Sequence, residues 1–478
     1  ETRPMQSDDS PSRSDRPAAA GATADPYPSE SYAWYVVVVL TIVYLFSFVD
    51  RQILSMMVGD IKTGLDLDRD WQVGFLMGPA FAVFYTIFGI PFGRLADSHN
   101  RTRIIAFGLA MWSLMTAACG VARNFWHMSL LRIGVGIGEA SLSPSAYSII
   151  TDYFRKEKLA RAIAFYGMGI YFGSGMAYLV GGKAITYVRQ TAPWDLPLLG
   201  TVTPWQKVFF LVGLPGLLVV PLLLLTVREP ARRGLLVTRG AAQGAAAKSR
   251  SVPFREVMRY ISENRRTILS HNIGFALLSF SSYGNGAWLP EVFKRVHGWD
   301  AAKFGLIYGI VVFVCGAGGV LVGGVISDRL SRRGYTDAKV RVGFLAAWIW
   351  FPTGLVFPLL DNDVAAMILV IPTVFLASMP FGVAPAAIQQ MMPNNLRGQT
   401  SAIYLFIVNL LGLAIGPMVL ALMTDYVFTQ ANFGIEGIRY SLLTTTGVAH
   451  LASAVLLFYC MGEYRKSLER LRGVSDEA

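Results

Sequence analysis

Four charged side chains interrupt long apolar stretches of this sequence: Asp50, Arg51, Arg132 and Glu139. A carboxyl group in such surroundings can bind and release a proton, and burial and a neighbouring arginine have opposite effects on its proton affinity. Glu139 follows Arg132 by seven residues, which places both on one face of a helix. We predict that Asp50 and Glu139 carry protons and that Arg132 and Arg51 are the charges that tune them.

The stretches that position these residues are long enough to cross a lipid bilayer. Of 478 residues, 53% are hydrophobic and 15% are charged, which excludes a soluble enzyme, a secreted disulfide scaffold and a DNA-binding domain. A helix of about 20 residues spans the hydrocarbon core. Twelve stretches of this kind are nearly free of charge: 33–57, 72–92, 104–122, 125–151, 162–182, 208–227, 268–290, 304–327, 342–360, 364–390, 398–424 and 441–461. We predict an all-α membrane protein with twelve transmembrane helices.

Basic residues alternate along the connections between these stretches. The net charge is +11, but most of the lysines and arginines outside the stretches lie in connections on the side of the N-terminus. By the positive-inside rule both termini are cytoplasmic, and no nucleic-acid partner is expected. The short connections favour a bacterial inner membrane.

A repeated motif divides the chain into equivalent halves. Gly93, Asp97 and Arg101 recur with the same spacing as Gly324, Asp328 and Arg332, each time after the second stretch of a half. We therefore expect two six-helix bundles related by a pseudo-two-fold axis along the membrane normal, with a cavity between them. The predicted divisions are a disordered tail at 1–31, of which 1–4 are an expression remnant; a bundle at 32–227; a cytoplasmic linker with an interfacial helix at 228–266; a second bundle at 267–461; and a cytoplasmic tail at 462–478.

The repeated motif resembles the cytoplasmic signature of the major facilitator superfamily, and this resemblance implies a latch that closes the cytoplasmic side. The second copy fits the signature well, whereas the first has Ser98 and Asn100 in place of a basic residue and a glycine. The latch residues that follow from the resemblance are Gly93, Asp97, Arg101, Arg103, Gly324, Asp328, Arg329, Arg332 and Arg333, with Asp97 paired to Arg101 or Arg103 and Asp328 to Arg332 or Arg333. Ordinary solvation of loop charges is the alternative.

Two further segments resemble the spinster branch of that superfamily. They are Phe48-Val-Asp-Arg51 in the first stretch and Arg132-Ile-Gly-Val-Gly-Ile-Gly-Glu-Ala-Ser141 in the fourth. The resemblance implies a proton-coupled transporter, not an enzyme, that moves sphingolipid-like or lysolipid molecules by alternating access. A proton-linked organic-anion symporter of the same superfamily and a non-transporting receptor or scaffold remain alternatives.

The second half offers only scattered polar groups for a cargo. His271, Tyr283, Asn285, Phe381 and Asn409 lie among apolar residues, as a wall for an amphipathic lipid would require, although hydrogen bonding between helices would also explain them. The histidines and three cysteines form no pattern typical of a metal site. We expect no cofactor other than protons, contacts with membrane lipids and a monomer. Two alternatives concern the charges: a static ion-pair network, and an Arg51 that points outward or contacts a neighbouring helix instead of the cavity.

Overall fold

Helices form almost the whole chain. The computed structural model describes residues 27–197, 200–232, 253–393 and 396–476. The first half contains six spans: span 1 (Glu30–Gln52, continued by the 3-10 turn Ile53–Met56), span 2 (Asp70–Met77 and Pro79–Ser98), span 3 (Arg101–Cys119), span 4 (Phe125–Glu139 and Leu142–Tyr153), span 5 (Lys156–Arg189) and span 6 (Pro204–Thr226).

The second half also has six spans. They are span 7 (Arg265–His297), span 8 (Ala301–Val311, the π-helical turn Val312–Gly316 and Ala317–Arg332), span 9 (Ala338–Val356 and the 3-10 turn Phe357–Leu359), span 10 (Asp363–Ser378 and Pro380–Gln390), span 11 (Arg397–Val408, the π-helical turn Asn409–Ile415 and Gly416–Tyr426) and span 12 (Gly437–Asp476). Judged by length and composition alone, ten of the twelve spans are apolar and long enough to cross a membrane. The predicted all-α architecture of twelve spans is confirmed.

Short elements join the spans. On the side away from the chain ends, called the distal side here, lie the helix Val58–Gly64, the helix Gln430–Phe433, the 3-10 turn Gly434–Glu436 and a hairpin of strands Trp194–Leu196 and Gly200–Val202. The strands are antiparallel, with Asp195 opposite Thr201. The opposite side, where the described chain begins and ends, is the terminal side. There the linker helix Phe254–Glu263 precedes span 7.

The halves touch where glycines let helix backbones approach closely. Span 2 breaks at Gly78, where an added Cβ atom would lie 2.4 Å from the carbonyl oxygen of Ala414 in span 11. Spans 5 and 8 cross in the same way, because a Cβ on Gly182 would lie 2.3 Å from the carbonyl oxygen of Ala301. Any larger residue at these two positions would push the halves apart.

Two predicted boundaries differ from the structure. The first helix begins at Glu30, inside the range predicted as a tail, and residues 1–26 of that range lie outside the described residues. The predicted tail at 462–478 is helical as far as Asp476, because the helix of span 12 continues to that residue. The continuation is stabilised by packing: Tyr464 is buried and donates a hydrogen bond to the carbonyl oxygen of Ala387 at 3.1 Å.

The linker helix lies against the second half. Val257 is buried, and the Tyr260 hydroxyl donates to the carbonyl oxygen of Met391 at 2.9 Å, whereas Met258 is exposed. Arg255 and Arg259 are exposed as well. The side chain of Phe254 and residues 233–252 of the predicted linker lie outside the described part of the chain.

Candidate functional site: a central cavity with a buried charge cluster

A cavity lies between the halves and has two adjoining compartments. The first comprises about 1170 Å³ and the second about 1040 Å³, and both volumes include space open to solvent. Arg51 and Phe48 of span 1 and Tyr283 of span 7 line both compartments. Both walls are mainly apolar and aromatic, with a few polar groups, so they suit a ligand that has an extended apolar part.

An ion pair between spans 1 and 4 forms part of this wall. Arg51 contacts one oxygen of Glu139 through Nε at 2.7 Å and through Nη2 at 2.6 Å. The Glu139 side chain is fully buried, while that of Arg51 is 11% exposed. The guanidinium carbon also lies 4.7–4.8 Å from the ring centres of Phe48, Phe81 and Tyr85, which holds the cation by its contact with aromatic faces.

Glycines on span 4 bring Glu139 into the interior. An added Cβ on Gly136 would lie 2.4 Å from the carbonyl oxygen of Phe81, and one on Gly138 would lie 2.9 Å from Trp112. Span 4 therefore packs tightly against spans 2 and 3. The helix then breaks between Glu139 and Leu142, so the carboxyl group lies at the end of a helical segment and within reach of span 1.

Asp50 and Arg132 are neighbours, but no hydrogen bond or ion pair joins their side chains. Arg132 donates from Nη1 to the backbone oxygen of Asp50 at 3.4 Å and from Nε to the backbone oxygen of Leu76 at 3.2 Å. Asp50 Oδ1 is buried without a hydrogen-bond partner among the described residues. Arg51 does not point outward: it contacts Glu139 of the neighbouring span 4 and also lines the cavity.

The arrangement couples proton binding to cavity charge. With both acids ionised, the four charges sum to zero, and each bound proton adds one positive charge. A proton on Glu139 removes the negative partner of Arg51, which then remains as a cation beside the cavity. Such a change favours an anionic group in the cavity and disfavours a cationic one.

Most, but not all, of the predicted cavity residues line the cavity. Tyr283 and Phe381 line both compartments, Asn285 the first and Asn409 the second. His271 does not: it is fully buried, with Nδ1 3.0 Å from Asn272 Oδ1 and Nε2 3.2 Å from the carbonyl oxygen of Ala384. Its role in this structure is hydrogen bonding between helices, which was the alternative to a cavity role.

Several lining residues were not predicted. They include Gln52, Ser174, Tyr178 and Trp350 of the first compartment. The Tyr178 hydroxyl donates to Gln52 Oε1 at 2.9 Å and to the carbonyl oxygen of Gly286 at 3.0 Å, so it links the halves across the cavity. The position of Gln52 next to Arg51 in the sequence is the one feature that could have predicted it as a lining residue. In the described residues no group of three histidine, cysteine, aspartate or glutamate side chains could hold a metal ion.

A second charge cluster closes the distal side, and we call it the distal clamp: Lys62, Asp70, Glu291, Arg295 and Asp425. Asp70 of span 2 accepts from Arg295 of span 7 at 2.5 and 3.0 Å and from Lys62 at 2.7 Å. Glu291 accepts from Arg295 at 2.7 Å. Asp425 of span 11 accepts from the backbone nitrogens of Asp70 and Trp71 at 3.0 and 2.7 Å, which caps the start of span 2. The clamp therefore joins the halves at two places.

The terminal side has no equivalent closure. Among the residues that the structure describes, no hydrogen bond or ion pair joins the halves on that side. The predicted latch residues Asp97, Arg103, Asp328, Arg329, Arg332 and Arg333 are exposed, and Gly93 and Gly324 are partly so. Polar contacts thus join the halves on the distal side, and the described residues of the terminal side show no counterpart.

The pairing of Asp97 with Arg101 is wrong in this arrangement. Arg101 is buried and bonds to Asp152 at 2.5 Å, to Glu229 at 2.7 Å and to the carbonyl oxygen of Pro230 at 3.1 Å. These contacts tie the start of span 3 to the end of span 4 and to the chain after span 6. Arg101 therefore holds the first half together.

We expect Arg101→Met to destabilise the protein strongly. The substitution deprives two carboxylates of a buried cation, and removal of one partner from a buried ion pair costs about 3–5 kcal/mol. The exposed Arg103, two residues away, is the control. Thermal unfolding in detergent, followed by tryptophan fluorescence, should show a lower midpoint for Arg101→Met and an unchanged one for Arg103→Met. Equal midpoints would contradict the structural role.

Comparison with known proteins places this arrangement among membrane transporters. The profile of the Major Facilitator Superfamily matches residues 40–461. An "MFS-type efflux pump" of Mycolicibacterium smegmatis is 26% identical over 446 residues, which cover 91% of this chain and 94% of that protein. "Protein spinster homolog 1" of Bos taurus is 31% identical over 324 residues, which cover 64% of this chain and 56% of that protein.

A solved structure resembles the fold along nearly the whole chain. It is described as a bacterial homologue of the human lysosomal transporter spinster in an inward-facing and unoccupied conformation. It is 27% identical, has a TM-score of 0.77, and covers 92% of this chain and 99% of its own. The resemblance to the spinster branch that the sequence indicated is thereby confirmed.

Proposed function

Since the chain belongs to the Major Facilitator Superfamily and is a membrane transporter, not an enzyme, we propose that its cargo is an amphipathic lipid of the lysolipid or sphingolipid-like type and that transport is coupled to protons. The observation that carries the proposal is the Arg51–Glu139 ion pair in the wall of a mainly apolar cavity. The cavity accommodates an acyl chain, and Arg51 supplies a cation for a polar headgroup.

Proton coupling follows from the competition for Arg51. When Glu139 is ionised, it holds the guanidinium at 2.6 Å. When Glu139 is protonated, Arg51 can pair with an anionic group of the cargo. Asp50, which lacks a partner on Oδ1, is the second proton carrier of the proposal, and Arg132 lies beside its backbone.

Alternating access follows from the distal clamp and the open terminal side. By the positive-inside rule we place the terminal side and both chain ends in the cytoplasm of a bacterium, with the protein as a monomer in its inner membrane. The arrangement described here is then inward-open. Outward opening requires that Asp70 leave Arg295 and that Asp425 leave the start of span 2, while Asp97 and Asp328 approach basic partners on the cytoplasmic side.

A proton-linked organic-anion symporter is the second candidate, and Arg51 is the observation that favours it. A small carboxylate needs a nearby cation, and Arg51 lines both compartments. A non-transporting receptor or scaffold would use neither the cavity nor the titrating pair.

The test compares two cargos in proteoliposomes with and without a pH gradient. Radiolabelled lysophosphatidylcholine is expected to move across the membrane, and the gradient is expected to change its rate, because Glu139 exchanges its partner with the proton. Radiolabelled gluconate is the competing cargo. Movement of gluconate alone would replace the lipid proposal by the symporter, and movement of neither would favour the receptor.

A further inference from the structure

Two polar nitrogen atoms in the second half of the cavity wall have no partner. Asn285 of span 7 and Trp350 of span 9 line the first compartment. Within the described chain, Asn285 Nδ2 and Trp350 Nε1 are buried and make no hydrogen bond. A buried donor without an acceptor costs about 1–3 kcal/mol. Two such donors in residues that line one compartment of the cavity indicate that the cargo supplies the acceptor.

Span 12 adds two more polar residues directly behind this wall. Thr446 donates to Asn285 Oδ1 at 3.0 Å, and the ring of His450 lies 4.1 Å from the Trp350 ring, centre to centre. Both residues are fully buried or nearly so, and neither ring nitrogen of His450 has a partner in the described structure. We call Asn285, Trp350, Thr446 and His450 the Trp350 subsite.

A glycine on span 9 makes room for this subsite. An added Cβ on Gly354 would lie 3.1 Å from Thr446 Cγ2 and 3.4 Å from His450 Nδ1. Thr446 and His450 are four residues apart, so they lie on one face of span 12, and Gly354 lets that face approach span 9. The packing therefore places His450 behind Trp350.

The free hydrogen-bonding groups define the chemistry of the ligand. The amide and indole nitrogens can only donate, whereas a neutral imidazole has one donor and one acceptor. His450 makes no hydrogen bond in the described structure, and the other three side chains of the subsite are uncharged. A donor-rich, uncharged site complements a neutral oxygen, and a hydroxyl group can also donate to the imidazole. A quaternary ammonium or an alkyl group cannot accept a hydrogen bond from any of these nitrogen atoms.

We propose that the Trp350 subsite binds a neutral hydroxyl group of the cargo, while Arg51 in the same compartment binds its anionic group. The inference rests on the proposed transport of amphipathic lipids and specifies which of them are accepted. Because both nitrogens are covered in the present arrangement, the hydrogen bonds form when the wall closes around the cargo. A contact made only in the closed state stabilises that state selectively, so the hydroxyl group raises the transport rate.

The test uses two probes that differ by one hydroxyl group. They are radiolabelled lysophosphatidylcholine and its analogue without the glycerol hydroxyl, and transport is measured in proteoliposomes of the full chain. Wild type is expected to move the hydroxyl probe about tenfold faster, the effect of one hydrogen bond to a buried group. Trp350→Phe removes the N–H and keeps an aromatic ring, and Asn285→Leu removes the amide. Each should bring the ratio of the two rates close to one.

The control is Trp348→Phe, a change on the same span at a side chain that is 55% exposed on the outer surface. It should keep the wild-type ratio. Equal rates for the two probes in wild type, or a ratio that survives in both subsite variants, would overturn the inference while leaving lipid transport intact. Absence of transport of either probe by wild type would instead overturn the proposed function and the inference with it. If Trp350→Phe fails to fold, as size-exclusion chromatography would reveal, Asn285→Leu decides.

Discussion

Replacing Asp70 by asparagine is expected to open the distal side. Asp70 has a side chain only 3% exposed, and it faces two cations, Arg295 of the other half and Lys62. Asparagine has nearly the same shape but carries no charge, so the bidentate pair across the halves is lost. The cations gain water when the halves separate, which favours the distal-open state. Removal of one partner from a buried ion pair costs about 3–5 kcal/mol, and about 1.4 kcal/mol already changes the ratio of two conformational states tenfold. We therefore expect the ratio of distal-open to distal-closed molecules to rise at least about tenfold.

The measurement is the distance between spin labels on the two halves. Asp68 and Gln430 are exposed on the distal side and belong to different halves, so labels at these positions should report separation in Asp70→Asn. The control is Asp60→Asn, because Asp60 pairs with Arg189 at 2.5 Å on the same side but within the first half. Unchanged distances in Asp70→Asn, or equal changes in both variants, would show that the clamp does not hold the halves together.

Replacing Glu139 by glutamine is expected to abolish the response of transport to a pH gradient. Glutamine keeps the shape of the side chain and resembles the protonated acid, so Arg51 is left without its anionic partner whatever the pH. Uphill movement of lysophosphatidylcholine driven by protons should fall by at least about tenfold, while exchange of labelled for unlabelled lipid continues, because exchange needs no net proton movement. Both rates are measured in proteoliposomes with an imposed pH gradient.

Two companion variants interpret the Glu139 result. Glu256→Gln makes the same chemical change on the exposed face of the linker helix and should leave the response intact. Asp50→Asn tests the other predicted proton carrier. A full response in Glu139→Gln together with its loss in Asp50→Asn would transfer the coupling role to Asp50 and contradict the competition for Arg51.

The transmembrane spans and the charged residues within them could be predicted from the sequence, because each is visible as a local pattern of residue types. A charged residue within a stretch of about 20 apolar residues can be recognised whatever direction its side chain takes in the folded protein. Which residues these charges pair with could not be predicted from the sequence. Neighbouring helix positions point about 100° apart, so the rotation of span 1 about its axis decides whether Asp50 or Arg51 contacts Glu139. Close packing of span 5 against span 1 settles that rotation, because an added Cβ on Gly173 would lie 2.9 Å from Phe48 Cβ.

The distal clamp and the Arg101 cluster escaped prediction for another reason. Asp70, Arg295 and Asp425 lie near helix ends. Charged residues are common there, so their presence in the sequence does not indicate an ion-pair cluster. Arg101 and Glu229 are 128 positions apart, and only the folded first half brings them together. The repeated motif suggested a latch role for Arg101, although its burial serves the stability of one bundle.

All four charges buried deep in the membrane belong to the first bundle, whereas the second contributes aromatic rings, amides and hydroxyls to the cavity. In the proposed mechanism the proton carriers thus belong to one bundle, whereas contacts with the cargo come from both, since Arg51 lines both compartments. On this proposal, exchanging side chains of spans 7, 9, 10 and 12 changes which cargo is accepted and leaves the proposed proton carriers Asp50 and Glu139 untouched.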